Sequence, residues 1–438
     1  MSIQAHSTRT QHDPLHVFNE YESEVRTYVR SFPAVFDRAR GSRLYDEDGN
    51  AYLDFFSGAG ALNYGHNHPK LKQGLMEYLG GDGITHSLDM ATRAKRGFIE
   101  RFQSVVLEPR GLDYKLLFPG PTGTNAVEAA LKLARKATGR STVFAFRGGF
   151  HGMTLGALAI TSNQMKRDGA GQPLDHTRLL PFDGQTQDGL DSLAFLRREL
   201  ERAARQRTLP AGVVLETVQC EGGVRVASAD WLRGVEQACR AHGVLLVIDD
   251  IQAGCGRTGS FFSFEGAGLE PDIVCLSKSL SGLGIPLALV LLREELDVFS
   301  PGEHNGTFRG HNLAFVTATR ALEFWAEAGF EREIQAKATL LRERLEALSA
   351  SHEDIAMTVR GRGLVQGIAF EDATLASAVS RACFERHLVI ETAGHADQVL
   401  KFLPALTMDV ASLEEGVEIV AESLRAVVAD RTPEPTLV

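Results

Sequence analysis

The chain has 438 residues, 44% of them apolar, which is enough for two or three domains with full hydrophobic cores. With 46 basic against 56 acidic residues and no long basic run, its net charge of −10 argues against a nucleic-acid-binding protein. The 5 cysteines form no CxxC pair and predict reduced thiols in a cytoplasmic protein rather than a disulfide or zinc framework.

The sequence gives no sign of membrane insertion. Residues 1–14 are polar and lack the apolar segment of a signal peptide, and we expect residues 1–15 and 432–438 to be mobile. The longest apolar run, residues 285–292, is too short to span a bilayer. We therefore predict neither a membrane partner nor a nucleic-acid partner.

The first predicted elements are a hairpin and two helical stretches. Two alternating apolar and polar runs flank an Asp-Gly turn in residues 42–56, a pattern typical of a β-hairpin. A glycine-rich segment with His66 and His68 follows; because no third ligand is nearby, we predict a loop near a site and no metal centre. Residues 70–103 have a helical pattern that is interrupted at residues 80–86.

A glycine-rich turn before residue 123 runs directly into the next predicted helix. The apolar residues of this helix are at positions 127, 130, 131 and 134. Backbone N–H groups at such a helix start, together with the Thr124 hydroxyl, would form a phosphate site. The turn is not a Walker loop, because no Gly-Lys pair follows at the required spacing. An ordinary capped helix would have the same pattern.

Two further strands place aromatic and acidic residues at their ends. The strand at residues 142–146 leads into a glycine-flanked loop, where Phe150 would lie against a planar ring and His151 would hydrogen-bond beside it. A core aromatic is the alternative for Phe150. The strand from residue 213 places Glu216 near its end and Glu221 in the next turn. Carboxylates at this edge of the sheet are costly unless they are paired with another group or have a role in the site, which favours site roles for both.

Residues 244–278 contain two short apolar runs that predict buried strands of a largely parallel sheet. The first run ends in Asp249 and Asp250, and the second is followed by Lys278. Ligands of open α/β sheets bind beyond the carboxyl ends of the strands. A lysine that joins a carbonyl cofactor covalently, and an acid that keeps a ring nitrogen protonated, would suit this position. Solvated loop residues are the alternative.

The remaining elements include one misleading motif. Residues 254–259 match the GxGxxG pattern, but residues 260–264 do not begin an amphipathic helix, and we therefore reject a dinucleotide site. A strand at residues 287–292 precedes a polar loop at residues 302–312 and a long helix at about residues 313–325. The elements after residue 326 predict a separate α+β domain.

Together these motifs resemble the class III (subgroup II) aminotransferases, a family of pyridoxal phosphate enzymes. The resemblance extends from about residue 38 to residue 404 and is specific because the order and spacing of many short motifs agree. These motifs are LDF (53–55), GHNHP (65–69), GTNAVE (123–128), GFHG (149–152), Glu216, IDDIQ (248–252), GRTG (256–259), SKSLS (277–281) and GT (306–307).

The resemblance implies an α/β protein with the aspartate aminotransferase fold, also called fold type I. Its large domain would contain a mostly parallel seven-stranded sheet flanked by helices, and a smaller α+β domain would accompany it. We expect residues 1–65 to form an N-terminal arm and part of the small domain. Residues 66–325 would form the large cofactor-binding domain, and residues 326–438 the C-terminal small domain.

The resemblance also assigns residues to the ring of pyridoxal 5'-phosphate. Lys278 would bind the cofactor covalently and later move a proton between the substrate and the cofactor. Asp249 would pair with the pyridine nitrogen. Phe150 and Ile251 would pack on the two ring faces, and Gln252 would hydrogen-bond the phenolic oxygen.

Further residues are assigned to the phosphate group and the surroundings of the ring. Gly123 and Thr124 would hold the phosphate, while His151 and Glu216 would complete the cofactor site. Thr307 would reach the phosphate of the neighbouring subunit. The resemblance therefore implies a homodimer or higher homo-oligomer with a shared active site.

Within the family, the resemblance is strongest to members that transfer an amino group between L-glutamate and L-aspartate 4-semialdehyde, for ectoine, siderophore or peptide synthesis. The small-molecule products are L-2,4-diaminobutyrate and 2-oxoglutarate. Glu221 is the candidate residue for accommodating two different substrates, because it would switch its partner between Lys401 and substrate. Members acting on ornithine, acetylornithine or 4-aminobutyrate are the alternative; a decarboxylase, an aminomutase or a scaffold without cofactor would be further ones.

Two positions depart from the family pattern. Cys220 replaces the usual glycine in the turn before Glu221, and a cysteine would be strained there if the turn requires a positive φ. Lys401 stands where many relatives have an arginine that binds a substrate carboxylate, and it offers a point charge without the bidentate fork. A surface lysine on a strand is the alternative for Lys401.

Overall fold

A seven-stranded sheet organises the larger part of the computed structural model, which describes residues 14–431. Residues 1–13 and 432–438, which contain nearly all of the two ends expected to be mobile, lie outside the described residues. Within residues 14–431, no helix combines the length and the apolar character that crossing a bilayer requires.

The strands, in chain order, are β1 (Phe36–Arg40), β2 (Arg43–Asp46), β3 (Ala51–Asp54), β4 (Lys115–Leu117), β5 (Val143–Phe146), β6 (Thr177–Leu180), β7 (Thr186–Gln187), β8 (Leu190–Asp191), β9 (Gly212–Leu215), β10 (Val218–Gln219), β11 (Arg225–Val226), β12 (Leu245–Asp249), β13 (Ile273–Leu276), β14 (Leu289–Leu292), β15 (Met357–Arg362), β16 (Val365–Phe370), β17 (Leu388–Val389), β18 (Glu391–Ala393) and β19 (Val399–Phe402).

The α-helices are α1 (His16–Tyr21), α2 (Tyr28–Ser31), α3 (Ser57–Gly60), α4 (Pro69–Gly80), α5 (Arg93–Phe102), α6 (Gly123–Thr138), α7 (Leu155–Ile160), α8 (Gln164–Asp168), α9 (Ser192–Gln206), α10 (Ala229–Ala241), α11 (Asn312–Ala326), α12 (Phe330–Ala350), α13 (Ala373–Glu385) and α14 (Val410–Arg431).

The central sheet has the strand order β4-β14-β13-β12-β9-β5-β6. Strands β13, β12, β9, β5 and β6 run parallel, and β14 is antiparallel to both of its neighbours. Their near-continuous apolar sequences fit this arrangement, because helices cover both faces of a parallel sheet. The predicted mostly parallel seven-stranded sheet is confirmed.

Alternate residues of each strand enter different cores. In β5, Phe144 and Phe146 join a large aromatic-rich core with residues of α5, α9, α10 and α11. Val143 and Ala145 point to the other face, where alanines of α6 pack closely on the sheet. The small side chains of α6 bring the beginning of this helix near the carboxyl edge of the strands, where the site lies.

A second group of elements forms two smaller four-stranded sheets, with the orders β1-β2-β3-β17 and β15-β16-β19-β18. They share a core with α12, α13 and α14. Strand β17 pairs in parallel with β3, Leu388 lying opposite Leu53, so that an early hairpin and the C-terminal part of the chain form one sheet. This is an α+β arrangement, whereas the domain boundaries proposed at residues 65 and 325 stay a prediction.

The local predictions agree with these elements. Strands β2 and β3 form the predicted hairpin, and α4 and α5 are the two predicted helical stretches with an interruption between them. Residues 250–264 form turns rather than an α-helix, as the lack of an amphipathic pattern at residues 260–264 predicted. His66 Nε2 lies 2.7 Å from Asp54 Oδ2, and the ring of His68 packs edge-on against Phe324.

Candidate active site

Asp249 and Lys278 meet at the carboxyl edge of the central sheet. Asp249 ends β12 opposite Cys275 of the parallel strand β13, and Lys278 follows the end of β13 by two residues. Asp249 is 4% exposed. Lys278 adopts a φ of +46°, in the left-handed region that a lysine rarely occupies. The surrounding fold thus holds the lysine at a defined place beside the buried acid.

The amine of Lys278 lies in an environment that favours its neutral form. Burial lowers its pKa; the negative charge of Glu221 opposes this effect and the positive charge of Lys401 adds to it. A neutral lysine amine is the nucleophilic form that attacks a carbonyl carbon. The described surroundings therefore suit covalent binding of a carbonyl cofactor.

His151 orients Asp249. Its Nδ1 lies 2.6 Å from Asp249 Oδ2, and both side chains are buried. Burial alone lowers the pKa of His151, but the hydrogen bond and charge of Asp249 raise it above its ordinary value. The backbone N–H of Ile251 donates to the other oxygen of Asp249 at 3.2 Å. The carboxylate is therefore held through both of its oxygens.

Glu216 fixes the loop that carries Phe150. The backbone N–H of Phe150 donates to Glu216 Oε2 at 3.0 Å. Burial raises the pKa of Glu216 to about 8; His151 opposes this shift and Asp249 adds to it. The Phe150 ring has the ammonium group of Lys166 4.5 Å from its centroid, which corresponds to a cation–π contact.

The start of α6 has the geometry of a phosphate cradle. Thr122 caps the helix with Asn125, whose Oδ1 accepts from the backbone N–H and the hydroxyl of Thr122. A Cβ atom added to Gly123 would lie only 3.0 Å from Ile251 Cγ2, so a larger residue would force a small shift of Ile251 or of the helix start. Thr124 Oγ1 lies 2.6 Å from Thr154 Oγ1. The N–H groups of a first helical turn favour anions.

The side-chain amide nitrogen of Gln252 is hydrogen-bonded within the protein, whereas its amide oxygen has no donor among the described residues. Its Nε2 donates to the carbonyl oxygen of Ala59 at 2.7 Å, while the buried Oε1 accepts no hydrogen bond from the described residues. The amide nitrogen carries two hydrogens, and the side chain also hydrogen-bonds to the carboxylate of Glu221. A buried amide oxygen without a donor is costly, so this position favours a polar ligand.

Lys401 and Glu221 form the second part of the site. The Lys401 side chain is fully buried, and its Nζ donates to Glu221 Oε1 at 2.7 Å. Glu391 Oε1 lies 2.9 Å from the same Nζ, because Glu391 in β18 is opposite Lys401 in β19. The alternative of a surface lysine is therefore wrong. Burial alone would raise the pKa of Glu221, but Lys401 and Lys278 lower it to about 2.

A family model of class-III aminotransferases matches residues 25–424. This chain belongs to the class III aminotransferases. The match covers the hairpin, the sheet, the residues at its carboxyl edge and the Lys401 strand.

Named relatives of this class III aminotransferase are similar over nearly their full length. The diaminobutyrate–2-oxoglutarate transaminase of Halalkalibacterium halodurans is 53% identical, covering 94% of this chain and 97% of that protein. The protein of the same name from Streptomyces anulatus is 54% identical, covering 94% and 98%.

Solved structures agree with the fold. An ornithine aminotransferase from Toxoplasma gondii has a TM-score of 0.84 at 25% identity and covers 97% of both chains. An S-selective transaminase from Bacillus megaterium has a TM-score of 0.85 at 22% identity, covering 95% of this chain and 98% of that one. The predicted fold type I is confirmed.

Pyridoxal 5'-phosphate is the cofactor of class III aminotransferases and therefore of this enzyme. The residues at the sheet edge fit it. Asp249 is a buried acid that would suit the ring nitrogen, Gln252 has a buried amide oxygen without a donor among the described residues, and Lys278 is an amine with a lowered pKa. The glycine at the start of α6 lets the backbone of the first helical turn lie close to the Ile251 side chain, and N–H groups of such a turn would suit a phosphate group.

Cys220 and Thr307 are the remaining residues to which the sequence assigned a place in or near the site. Cys220 is absent from the non-glycine residues with positive φ, so the strain expected there does not arise. Its thiol is buried, donates to the carbonyl oxygen of Val218 at 3.5 Å, and has a pKa that burial raises to about 12. Thr307 is exposed in a loop, and its carbonyl oxygen lies 2.9 Å from His86 Nε2.

Sequence reasoning missed Glu391 and Tyr28. Glu391 belongs to the Lys401 cluster, and Tyr28 in α2 lies close enough that burial, followed by the charges of Glu391 and Glu221, raises its pKa. The alternation of polar Glu391 with apolar neighbours was the only local signal for the acid. Tyr28 gave no signal, because its place depends on how the N-terminal segment packs.

Proposed function

We propose that this enzyme transfers an amino group between L-glutamate and L-aspartate 4-semialdehyde, forming L-2,4-diaminobutyrate and 2-oxoglutarate. The observation that carries the proposal is the buried Lys401 shared by Glu221 and Glu391. The reaction needs a site that accepts a carboxylate in one half and an ammonium group in the other. Relatives 50–54% identical over at least 94% of this chain have the corresponding name.

The positions of the side chains support the proposed roles at the ring. Pyridoxal phosphate, when bound, supplies the aldehyde that takes the amino group and the ring that accepts electrons from the substrate carbon. Lys278 Nζ moves the proton at the reacting carbon. Asp249, oriented by His151, binds the protonated ring nitrogen and keeps the ring electron-poor.

Three further side chains would hold the ring in place. Phe150 would pack on one face and Ile251 on the other, while the Gln252 amide would turn one N–H from Glu221 to the phenolic oxygen. Glu216 would act on the ring only through the loop that it anchors.

The phosphate would be bound where α6 begins. Gly123 and Thr124 would donate backbone N–H groups, and the Thr124 hydroxyl would turn from Thr154 to the phosphate. Thr307 of the partner subunit would complete the set, so the smallest active unit would be a homodimer.

We further propose that this enzyme works in the cytoplasm.

Substrate exchange would depend on Glu221. With glutamate bound, Glu221 would leave Lys401, and the lysine would bind the substrate carboxylate. With the semialdehyde, Glu221 would stay near Lys401 and face the substrate's α-ammonium group. One pocket would thus serve both half-reactions of a two-step exchange.

The visible absorption spectrum of the purified holoenzyme tests the proposed function. Glutamate should bleach the yellow band, and aspartate 4-semialdehyde should restore it. Recovery only with an aldehyde from ornithine, acetylornithine or 4-aminobutyrate would assign this enzyme to another amino acceptor. Bleaching with no keto acid formed would contradict transamination.

A further inference from the structure

Lys401 is shared by two carboxylates that differ in their freedom to move. Glu221 accepts a hydrogen bond from Lys401 at 2.7 Å, and its side chain is 29% exposed. Glu391 is only 7% exposed, its Oε1 lies 2.9 Å from Lys401 Nζ, and its carboxyl group also hydrogen-bonds to the side chain of Tyr28. Glu391 is therefore a buried acid that shares its ion-pair partner, Lys401, with a second carboxylate.

The backbone also distinguishes the two acids. Glu391 lies directly opposite Lys401 in the antiparallel pair of β18 and β19, so its position is fixed by the ladder. Glu221 lies in the turn between β10 and β11, followed by Gly223 with a φ of +99°. Glu221 can turn away from the lysine, whereas Glu391 stays beside it.

The cluster contains more negative than positive charge. Glu221 and Glu391 face the single ammonium group of Lys401, and Tyr28, the other polar neighbour of Glu391, brings no positive charge. Lys278 faces both acids but is the residue that cofactor binding engages. An excess charge in a buried place is costly unless a proton or a ligand cation neutralises it.

The two amino donors of the proposed reaction, diaminobutyrate and glutamate, differ in the charge of a group that does not react. 2,4-Diaminobutyrate carries a second ammonium group two carbons from the reacting amine, whereas glutamate carries a carboxylate at its far end. An ionised Glu391 would attract the second ammonium group of diaminobutyrate and repel the distal carboxylate of glutamate. Removal of one negative charge from the cluster would favour glutamate.

We propose that Glu391 determines which substrate the site accepts. In its ionised form it binds the non-reacting ammonium group of diaminobutyrate or aspartate semialdehyde. In its protonated form it lets Lys401 bind the carboxylate of glutamate after Glu221 has turned away. The inference rests on the proposed function and extends it to the substrate preference of each half-reaction.

The surroundings of Glu391 allow both its ionised and its protonated form. Burial raises its pKa to about 7; the positive charge of Lys401 opposes this shift and Glu221 adds to it. The groups that face Glu391 are Tyr28 from α2, Glu221 from the turn after β10, Lys278 after β13 and Lys401 from β19. Near neutral pH a proton can therefore move on or off as the substrate changes.

The first experiment measures both half-reactions of the holoenzyme under single-turnover conditions. In Glu391→Gln we expect the second-order rate constant for diaminobutyrate to fall at least tenfold and that for glutamate to change less than threefold. Glu391→Asp, which keeps the charge, should recover most of the diaminobutyrate rate. Glu385→Gln, an exposed acid at the end of α13, is the matched control and should behave like wild type.

Equal losses for both substrates, or no loss for either, would overturn the role of Glu391. Failure of the wild-type enzyme to react with diaminobutyrate would instead overturn the proposed function. The two failures are therefore distinguishable.

The second experiment needs no turnover. Glutarate, a dicarboxylate without an amino group, is titrated into the wild-type holoenzyme by calorimetry at pH 7.5 in two buffers with different ionisation enthalpies. We expect proton uptake on binding, and its loss in Glu391→Gln. Wild-type binding without proton uptake would contradict the proposal even if the Gln variant did not fold.

Discussion

At the scale of single residues, the site depends on buried charged side chains that orient one another through hydrogen bonds and ion pairs. Asp249 carries His151 on one oxygen and the Ile251 N–H on the other, and Lys401 holds two acids at once. Removal of one partner leaves the other uncompensated, which is costlier than the net contribution of the pair.

Replacement of His151 by glutamine should slow both half-reactions by about 10- to 100-fold, by analogy with residues that orient the ligands of metal ions. The expected cause is a loss of orientation of Asp249, whose Oδ2 is 2.6 Å from the imidazole. Single-turnover rates and the cofactor absorption maximum measure this effect. His352→Gln, in the turn after α12, is the control; unchanged rates in His151→Gln would refute the role.

Asp250 provides a test of stability against pH. It is fully buried, Ser263 N donates to its Oδ2 at 3.0 Å, and burial raises its pKa to about 7. A folded-state pKa above the unfolded value means that the stabilisation is present at low pH and is lost as pH rises through about 7. Wild type should therefore lose about 2–3 kcal/mol between pH 5 and 8 that Asp250→Asn does not lose.

Urea unfolding of the apoenzyme at both pH values measures this difference. Asp430→Asn, an exposed acid near the end of α14, should follow wild type. Parallel pH curves for wild type and Asp250→Asn would contradict the prediction.

At the scale of elements, the sequence predicted strands better than the contacts between them. The apolar runs of β12 and β13 predict buried parallel neighbours, and that alone brings Asp249 and Lys278 to one edge. The pairing of Glu391 with Lys401 depends on the register of β18 and β19, which neither short strand encodes by itself. The cradle at α6 was recognisable because a glycine-rich turn enters a helix directly.

Substitution of Gly123 by alanine should disturb the start of α6 without unfolding the protein. The new Cβ would lie 3.0 Å from Ile251 Cγ2, so Ile251 or the helix start must move by a few tenths of an ångström. We expect the affinity for pyridoxal phosphate to fall at least tenfold, measured by fluorescence or absorbance titration of the apoenzyme.

Gly97→Ala in α5 is the matched control, since a Cβ there meets no atom within 4 Å. It should stabilise the apoenzyme by about 0.5–1 kcal/mol and leave cofactor affinity unchanged. Equal cofactor affinity in both alanine variants would show that Gly123 has no special place in the cradle.

At the scale of the whole molecule, the open question is which chain supplies Thr307 to a given site. The residue is exposed in its loop, and its carbonyl oxygen contacts His86 Nε2, with no hydrogen bond from its hydroxyl to Gly123 or Thr124 among the described residues. These contacts are compatible with a hydroxyl that serves the phosphate of a second copy.

A mixed dimer decides between the two arrangements. One chain carries Lys278→Ala and the other Thr307→Ala, so only the second chain has an active lysine. If Thr307 acts across the interface, that one active site receives an intact Thr307 from its partner and keeps wild-type cofactor affinity with half the wild-type activity. If Thr307 acts within its own chain, the same site lacks the hydroxyl, and its affinity should match the weaker affinity of the Thr307→Ala homodimer. Differently tagged chains allow the mixed dimer to be isolated, and titration of its half-activity with pyridoxal phosphate distinguishes the two outcomes.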